Sequence, residues 1–261
     1  MTELQFCYEV SLDFSSPVHD HAFVLRCLPH DMPEQILLWS ELIIQPEPHR
    51  ISFGGDAFGT RLITGFLPEQ HDSFRYSVEG RARRDDSERL HFQTPLTCYR
   101  YPSGMTQPSP EMARFLADCN IDFHGCTLEA AEELSEAVHE YFEYVPGVTG
   151  TATTAAESFA MRQGVCQDYA QCYIALARMA GYSARYVCGL PEGEGQSHAW
   201  AEVCIDGVWE GMDPTRNCRA GETYLKLAVG RDFLDCPVER GVFYGAVDQC
   251  QTAFMRVTSD Q

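Results

Sequence analysis

Three residue types that together perform nucleophilic acyl transfer stand in order in two short segments of the 261-residue chain: Cys166 in GVCQDYAQCYIALARMAG, then His198 and Asp213 in SHAWAEVCIDGVWEGMDPT. A cysteine attacks as its thiolate and an imidazole takes and returns the proton. A carboxylate fixes the tautomer of that imidazole and stabilises the imidazolium it becomes. Each residue alone has a plainer reading. Most cysteines are buried small hydrophobes, a lone histidine on a strand is more often structural, and an aspartate before proline commonly caps a turn. Their relative placement is what points to chemistry.

That placement follows from the elements around them. From Cys166, the residues Ala170, Tyr173, Ile174, Leu176, Ala177 and Ala180 recur at helical spacing up to Gly181, a C-terminal stop. Cys166 is therefore expected in a helix's first turn, where free N–H groups and the positive end of the dipole favour a thiolate. In HAWAEVCI the residues alternate, so His198, Trp200, Glu202 and Cys204 share one strand face. Asp206-Gly207 then reads as a two-residue hairpin turn. Regular closure sets Ile205 against Val208 and Trp200 against Asp213, which leaves His198 diagonal to Asp213, about 7–8 Å away at Cα. A bulge would turn Asp213 to the other face. Trp200, on the face of His198, is expected to wall the acyl pocket, and Trp209 to pack on its cross-strand partner Cys204.

The stretch from about Tyr144 to Gly245 resembles the bacterial branch of the transglutaminase-like superfamily, a papain-like fold for cysteine chemistry. The matching words are GVCQDYA at 164–170, ARYVCGL at 184–190, SHAWAEV at 197–203, DPT at 213–215 and VGRDF at 229–233. The segment YEVSLDFSSPVHDHAFVLRCLP resembles the opening of that family's β-rich N-terminal domain. The resemblance implies Cys166 as nucleophile, His198 as general base and acid, and Asp213 as the orienting residue. Two departures stand out: Cys188 replaces the family's usual serine, and PEGEGQ at 191–196 is a short connection that reshapes the rim of the cleft. For the oxyanion, the N–H of Cys166 is the first donor. Tyr144 is a candidate second donor with a packing role equally open to it, and Gln167 and Asp168 are assigned support in the helix's first turn. The function implied is thiolate attack on amide bonds of peptides or proteins through a thioester, with water as acceptor in a peptidase or amidase. An amine acceptor would make the chain a protein-glutamine transglutaminase, and a catalytically silent binding or scaffolding module is a third reading.

Length and punctuation suggest two units: a β-rich N-terminal domain over 1–104, sandwich-like, and a catalytic core over 105–261. The short β-type runs of residues 1–100 precede the Pro- and Ser-rich TCYRYPSGMTQPSP, read as a linker with a boundary near 102–110. Helical stretches EMARFLADC and LEAAEELSEAVHEYFEYV follow, the second with its glutamates on a solvated face, and Thr154 and Glu157 offer a capping box to the next helix. Past Pro214 the expectation is irregular structure, then closing strands in VFYGAVDQCQTAFMRVTS, for an α+β class. The balance of 38 acidic to 19 basic residues, a net charge of −19, argues against nucleic acid or an anionic membrane as partner. The basic cluster RARRDDSER at 81–89 reads as a solvated loop, and Arg231-Asp232 as a structural ion pair. The twelve cysteines show no CxxC or zinc-type spacing, so reduced thiols and no metal or cofactor are expected. With neither a signal-type leader nor a long apolar run in the sequence, a cytoplasmic location is the expectation. Oligomeric state cannot be read from these features.

Overall fold

The computed structural model describes residues 1–89 and 94–259. In chain order its elements begin with strands β1 (Thr2–Leu25), β2 (Gln35–Gln45), β3 (Arg50–Gly55), β4 (Arg61–Leu67) and β5 (His71–Arg84). Helices α1 (Pro110–Asp118) and α2 (Leu128–Tyr141) follow, then β6 (Glu143–Tyr144), α3 (Ala155–Met161), β7 (Gln163–Gly164) and α4 (Cys166–Met179). The remaining strands are β8 (Ser183–Pro191), β9 (Gly193–Gly195), β10 (His198–Ile205), β11 (Val208–Asp213), β12 (Cys218–Arg219), β13 (Tyr224–Gly230), β14 (Glu239–Tyr244) and β15 (Gln249–Ser259).

β1 is the spine of the first sheet. Leu4, Phe6, Tyr8, Val10, Leu12 and Phe14 alternate inward along it and are buried. The two β-type runs read from the sequence here are one 24-residue strand that continues through Pro17, where the pairing with β5 slips between Asp13 and Val18. Proline cannot donate to a ladder, so it sits where the strand breaks register and bends. Before the slip β1 pairs with β5 and β15; after it, with β4 and β14. The change of partners curls the antiparallel sheet over its own buried face, in line with the sandwich-like expectation.

The second sheet runs β12-β11-β10-β8-β13, antiparallel throughout. The helices cover one face of it. The capping box read from sequence is in place at Thr154 and Glu157, and Ser109 and Thr127, not singled out from the sequence, likewise each accept a backbone N–H at a helix start. α4 is the central helix: Ala170, Cys172, Tyr173, Ile174, Ala175, Leu176 and Ala177 are all buried. Its alanines face Ala199, Ala201 and Val203 of β10, and small residues on both sides let helix and strand approach closely. The class is α+β.

Several boundaries differ from the sequence reading. β14 and β15 do not close the catalytic core; they join the first sheet, with β15 paired to β1 from Leu4↔Ser259 to Phe14↔Gln249. Alternation tells which residues of a strand turn inward but not which strand it will pair with, so 105–261 is not one unit. Leu190, Leu225 and Leu227 of the second sheet lie in the same apolar cluster as Leu4, Phe6 and Tyr8, and the two sheets share a core. The segment read as irregular after Pro214 contains β13, buried along its whole length. The linker is docked: Tyr99, Met105 and Thr106 are buried, and Arg178 of α4 donates to the Tyr99 carbonyl at 3.0 Å and to Thr106 Oγ1 at 2.7 Å.

The basic cluster is no solvated loop either. Arg84 is fully buried and pairs with Asp86 at 2.9 Å, while Arg89 bridges Asp86 and Glu210 at 2.6 and 2.7 Å. Arg231 pairs with Asp235 at 2.8 Å, not with Asp232, whose carboxylate accepts from the N–H groups of Met105 and Leu234. A buried charge chain crosses between the sheets. Lys226 of β13 meets Glu34 at 2.9 Å and Glu202 of β10 at 2.5 Å, and Glu202 also meets Arg185 of β8 at 2.6 Å.

Candidate active site

Cys166 is the first residue of α4, half-buried, with Val165 as the preceding cap. The turn is held from within: Asp168 Oδ2 reaches back to accept the Val165 N–H at 2.8 Å and the Thr149 hydroxyl at 2.7 Å. Burial raises the Asp168 carboxyl above its usual range against the pull of those hydrogen bonds. A Cβ at Gly164 would come within 2.5 Å of that carboxylate, so only glycine leaves it room. Asp168 therefore positions the nucleophile's turn and does not line the cleft, which refines the support role expected of it. The N–H groups at the start of α4 have no partner within the helix and point to where the nucleophile works.

The hairpin closes in the expected register. Ile205↔Val208, Cys204↔Trp209 and Ala201↔Met212 are paired, and Asp206 and Gly207 take φ of 48° and 79°, the left-handed pair a tight hairpin turn demands. With no bulge, Asp213 lands on the face of His198, and His198 Nε2 lies 2.8 Å from Asp213 Oδ2. Asp213 is fully buried and bonded on both oxygens. Oδ2 also accepts from the Tyr224 hydroxyl at 3.0 Å, and Oδ1 accepts the N–H groups of Thr215 and Arg216 at 3.1 and 3.2 Å. Asp213 thus caps the turn with one oxygen and meets His198 with the other. Burial alone would lower the imidazole pKa. The Asp213 hydrogen bond, the adjacent Cys166 thiol and the charges of both reverse this and raise it from 6.5 to about 9. With Nε2 committed to Asp213, Nδ1 is the ring nitrogen left for the sulfur.

Cys166, Gln167 and His198 open together into a cleft of about 360 Å³, whose other walls include Tyr8, Tyr186, Cys188, Val238, Glu239 and Gln251. Gln167 is thus at the cleft as expected. Tyr144 lies just outside it in β6, paired with Gly164 of β7, and is 53% exposed. Burial, and then the charge of Cys166, push its phenol upward, which puts it near the sulfur. Trp200 does not wall the pocket. It is fully buried behind the base, its ring stacked on His198 at 6.5 Å and edge-on to Tyr224 at 5.2 Å. On the face it shares with His198, an eight-residue strand carries only its first residue into the cleft. Trp209 packs as read, with Arg185 over its ring at 4.1 Å.

Sequence reasoning missed Tyr224, Tyr8 and Glu239. Tyr224 stands in the apolar run YLKLAV between Gly221 and Gly230, a signal for a buried strand that would have brought it beside Asp213. Tyr8 and Glu239 come from the first sheet, and no local pattern connects them to Cys166. Cys188, where the resemblance has serine, is buried beside the nucleophile, and burial first and the Cys166 charge second hold its thiol up at about 12.

Residues 122–214 match the model of the transglutaminase-like superfamily core, and residues 4–83 match that of the bacterial transglutaminase-like N-terminal region. An uncharacterized protein of Mycobacterium leprae is 34% identical over 113 residues, 40% of this chain and 40% of that one. An uncharacterized protein of Mycobacterium tuberculosis is 33% identical over 133 residues, 45% of this chain and 42% of its own length. The chain thus spans about two-fifths of the length of these curated relatives. Among solved structures, a "Putative Cysteine Protease from Cytophaga hutchinsonii" superposes with a TM-score of 0.80 over 99% of this chain and 90% of that one, at 22% identity. At that identity the likeness shows a shared fold.

Proposed function

We propose that this protein, a member of the transglutaminase-like superfamily, is a cysteine-dependent acyl-transfer enzyme that cleaves amide bonds of peptides or proteins, with Cys166, His198 and Asp213 as its catalytic residues. The observation that carries the reading is the 2.8 Å contact of His198 Nε2 with Asp213, made by the base that opens into the same cleft as Cys166 at the start of α4.

The chemistry follows from that arrangement. In this reading His198 accepts the Cys166 proton, and the ring held by Asp213 keeps it up to about pH 9 while the sulfur attacks. Cys166 Sγ attacks the amide carbon, and the developing oxyanion is met by the Cys166 N–H. The C–N bond breaks as His198 hands its proton to the leaving amine, and a thioester remains. Water then attacks the thioester carbon while His198 takes its proton; the acid leaves, and thiolate and imidazolium are restored. Asp213, gripped by Tyr224 and two backbone N–H groups, keeps the ring in one tautomer throughout. No metal or cofactor enters these steps.

Two measurements test this. Iodoacetamide at neutral pH should label Cys166 ahead of the other eleven cysteines, at a rate that drops in His198→Ala. Incubation with a peptide library and a fluorescent primary amine should give cleavage products. Amine incorporation in place of cleavage would reassign the enzyme as a transglutaminase. Uniform labelling with neither product would overturn the catalytic reading.

A further inference from the structure

The buried carboxylates of this chain are almost all answered. Glu34 has Lys226, Glu202 has Lys226 and Arg185, Asp168 has Thr149 and the Val165 N–H, Asp213 has His198 and Tyr224, and Asp232 has two backbone N–H groups. Asp168 leaves its Oδ1 unmet, and Glu239, partly buried, is the other exception among the described residues. It opens β14 opposite Leu25 of β1 and lines the catalytic cleft, its Oε2 is buried, and no donor or cation among the described residues meets it. Burial alone acts on it, raising its carboxyl from 4.5 to about 7. The Tyr76 hydroxyl, on a residue only 2% exposed, is likewise without a partner and lies close enough for Glu239 to oppose its ionisation. An unpaired carboxylate withdrawn from water is costly, and of the two acids left with an unmet oxygen Glu239 is the one that lines the cleft.

We propose that Glu239 is the receptor for a primary ammonium group carried by the substrate, held in the cleft alongside Cys166. This rests on the acyl-transfer reading above and deepens it. Among the residues lining the cleft Glu239 is the one carboxylate, and no lysine or arginine lines it. An ionised Glu239, the one carboxylate of the lining, makes the cleft attractive to a cation. With Oε2 buried, Oε1 is the oxygen left to the cleft, and a single acceptor suits a compact ammonium, whereas a guanidinium fork needs two coplanar acceptors. Tyr8, on the same wall and edge-on to Tyr76 at 6.2 Å, adds an aromatic surface that a cation tolerates. The other titratable groups facing Glu239 are Tyr76 and Cys27, both kept neutral chiefly by burial. Two sources supply the chemistry: the α-amino group of a short peptide, or an aliphatic amine that accepts the acyl group.

The experiment is calorimetric titration of the Cys166→Ala protein with n-butylamine, with glycinamide, and with 1-butanol as neutral control. Both amines are expected to bind and butanol not to. At pH 6 binding should release a proton as Glu239 ionises, and the release should vanish by pH 8. Adding Glu239→Gln should weaken amine binding at least tenfold. Tighter glycinamide identifies a peptide N-terminus, and tighter butylamine an amine acceptor. Equal binding of butanol, or amine binding indifferent to Glu239→Gln, overturns the site. The proton release is read on a protein with Glu239 intact, so a misfolded Gln variant does not remove the test. Because Cys166 is absent, the readout is independent of turnover. Amine binding with no catalysis by the parent protein would sink the acyl-transfer reading and leave the site standing, and catalysis without amine binding would do the reverse.

Discussion

At His198 two opposed effects set the charge of the site, and the hydrogen-bonded pair outweighs burial. Its folded pKa of about 9 lies above the ordinary 6.5, so the stabilisation from its partners is complete below pH 6.5 and is lost as pH rises through 9. Asp213→Asn should bring the ring's NMR titration midpoint down by more than one unit and slow Cys166 alkylation at pH 7 at least tenfold; an unmoved midpoint would show that Asp213 does not hold the proton. Glu239 carries the opposite sense for the fold. Its raised carboxyl costs nothing below pH 4.5, and its penalty grows as pH rises through 7. At about 1.36 kcal/mol per unit, Glu239→Gln should add on the order of 3 kcal/mol at pH 8 and close to none at pH 4 in urea denaturation. At this scale the contact of His198 with Asp213 was legible because a short hairpin of known geometry ties them. Glu239 was not, because nothing in CPVERGVFYG tells a strand residue at a cleft from one in solvent.

At the scale of elements, the start of α4 and the strand of His198 are each held by a specific device. Gly164→Ala would drive its methyl into Asp168, so it should displace the turn that carries Cys166; a loss of alkylation rate exceeding tenfold with less than about 2 kcal/mol lost in stability is expected. Behind His198, β8, β10 and β13 are fastened to the first sheet by Arg185, Glu202, Lys226 and Glu34. Burial is outweighed there by the two cations, and Glu202 is depressed to about 2, so its contribution is present above pH 4.5 and is lost as pH falls through 2. Lys226→Met would leave two buried carboxylates short of a cation and should cost about 3–5 kcal/mol in chemical denaturation. A loss under 1 kcal/mol would mean that water already reaches the pair. The helices were legible from caps and periodicity. β13 was not, since Lys226 interrupts its apolar run and makes sense only with two carboxylates from other elements, Glu34 and Glu202, in place.

At the scale of the whole molecule, the family models divide the chain into an N-terminal region and a core, but the structure does not divide there. β14 and β15 return to β1, β9 pairs with β15 just ahead of His198, and the cleft has one wall from each sheet. Removal of residues 249–259 should therefore abolish cooperative unfolding of both sheets together and expose the edge of β1, read as loss of the single thermal transition and as aggregation. A truncated protein that keeps one sharp transition would show that the sheets are independent. Local pattern revealed how many strands there are and which way they face. Partner choice across more than two hundred residues is decided by shape and buried area, which no window of sequence displays.

The pairing of Leu4 with Ser259 also fixes an order of events during synthesis. β1 leaves the ribosome before the other described strands and β15 after them, so the contacts between the two must wait until more than two hundred further residues have been made. Cys166 and His198 are made well before that, yet Glu239, Gln251 and Ala253, which wall their cleft, are not. A nascent chain thus holds Cys166 and His198 before the first-sheet residues that complete the walls of their cleft have been made.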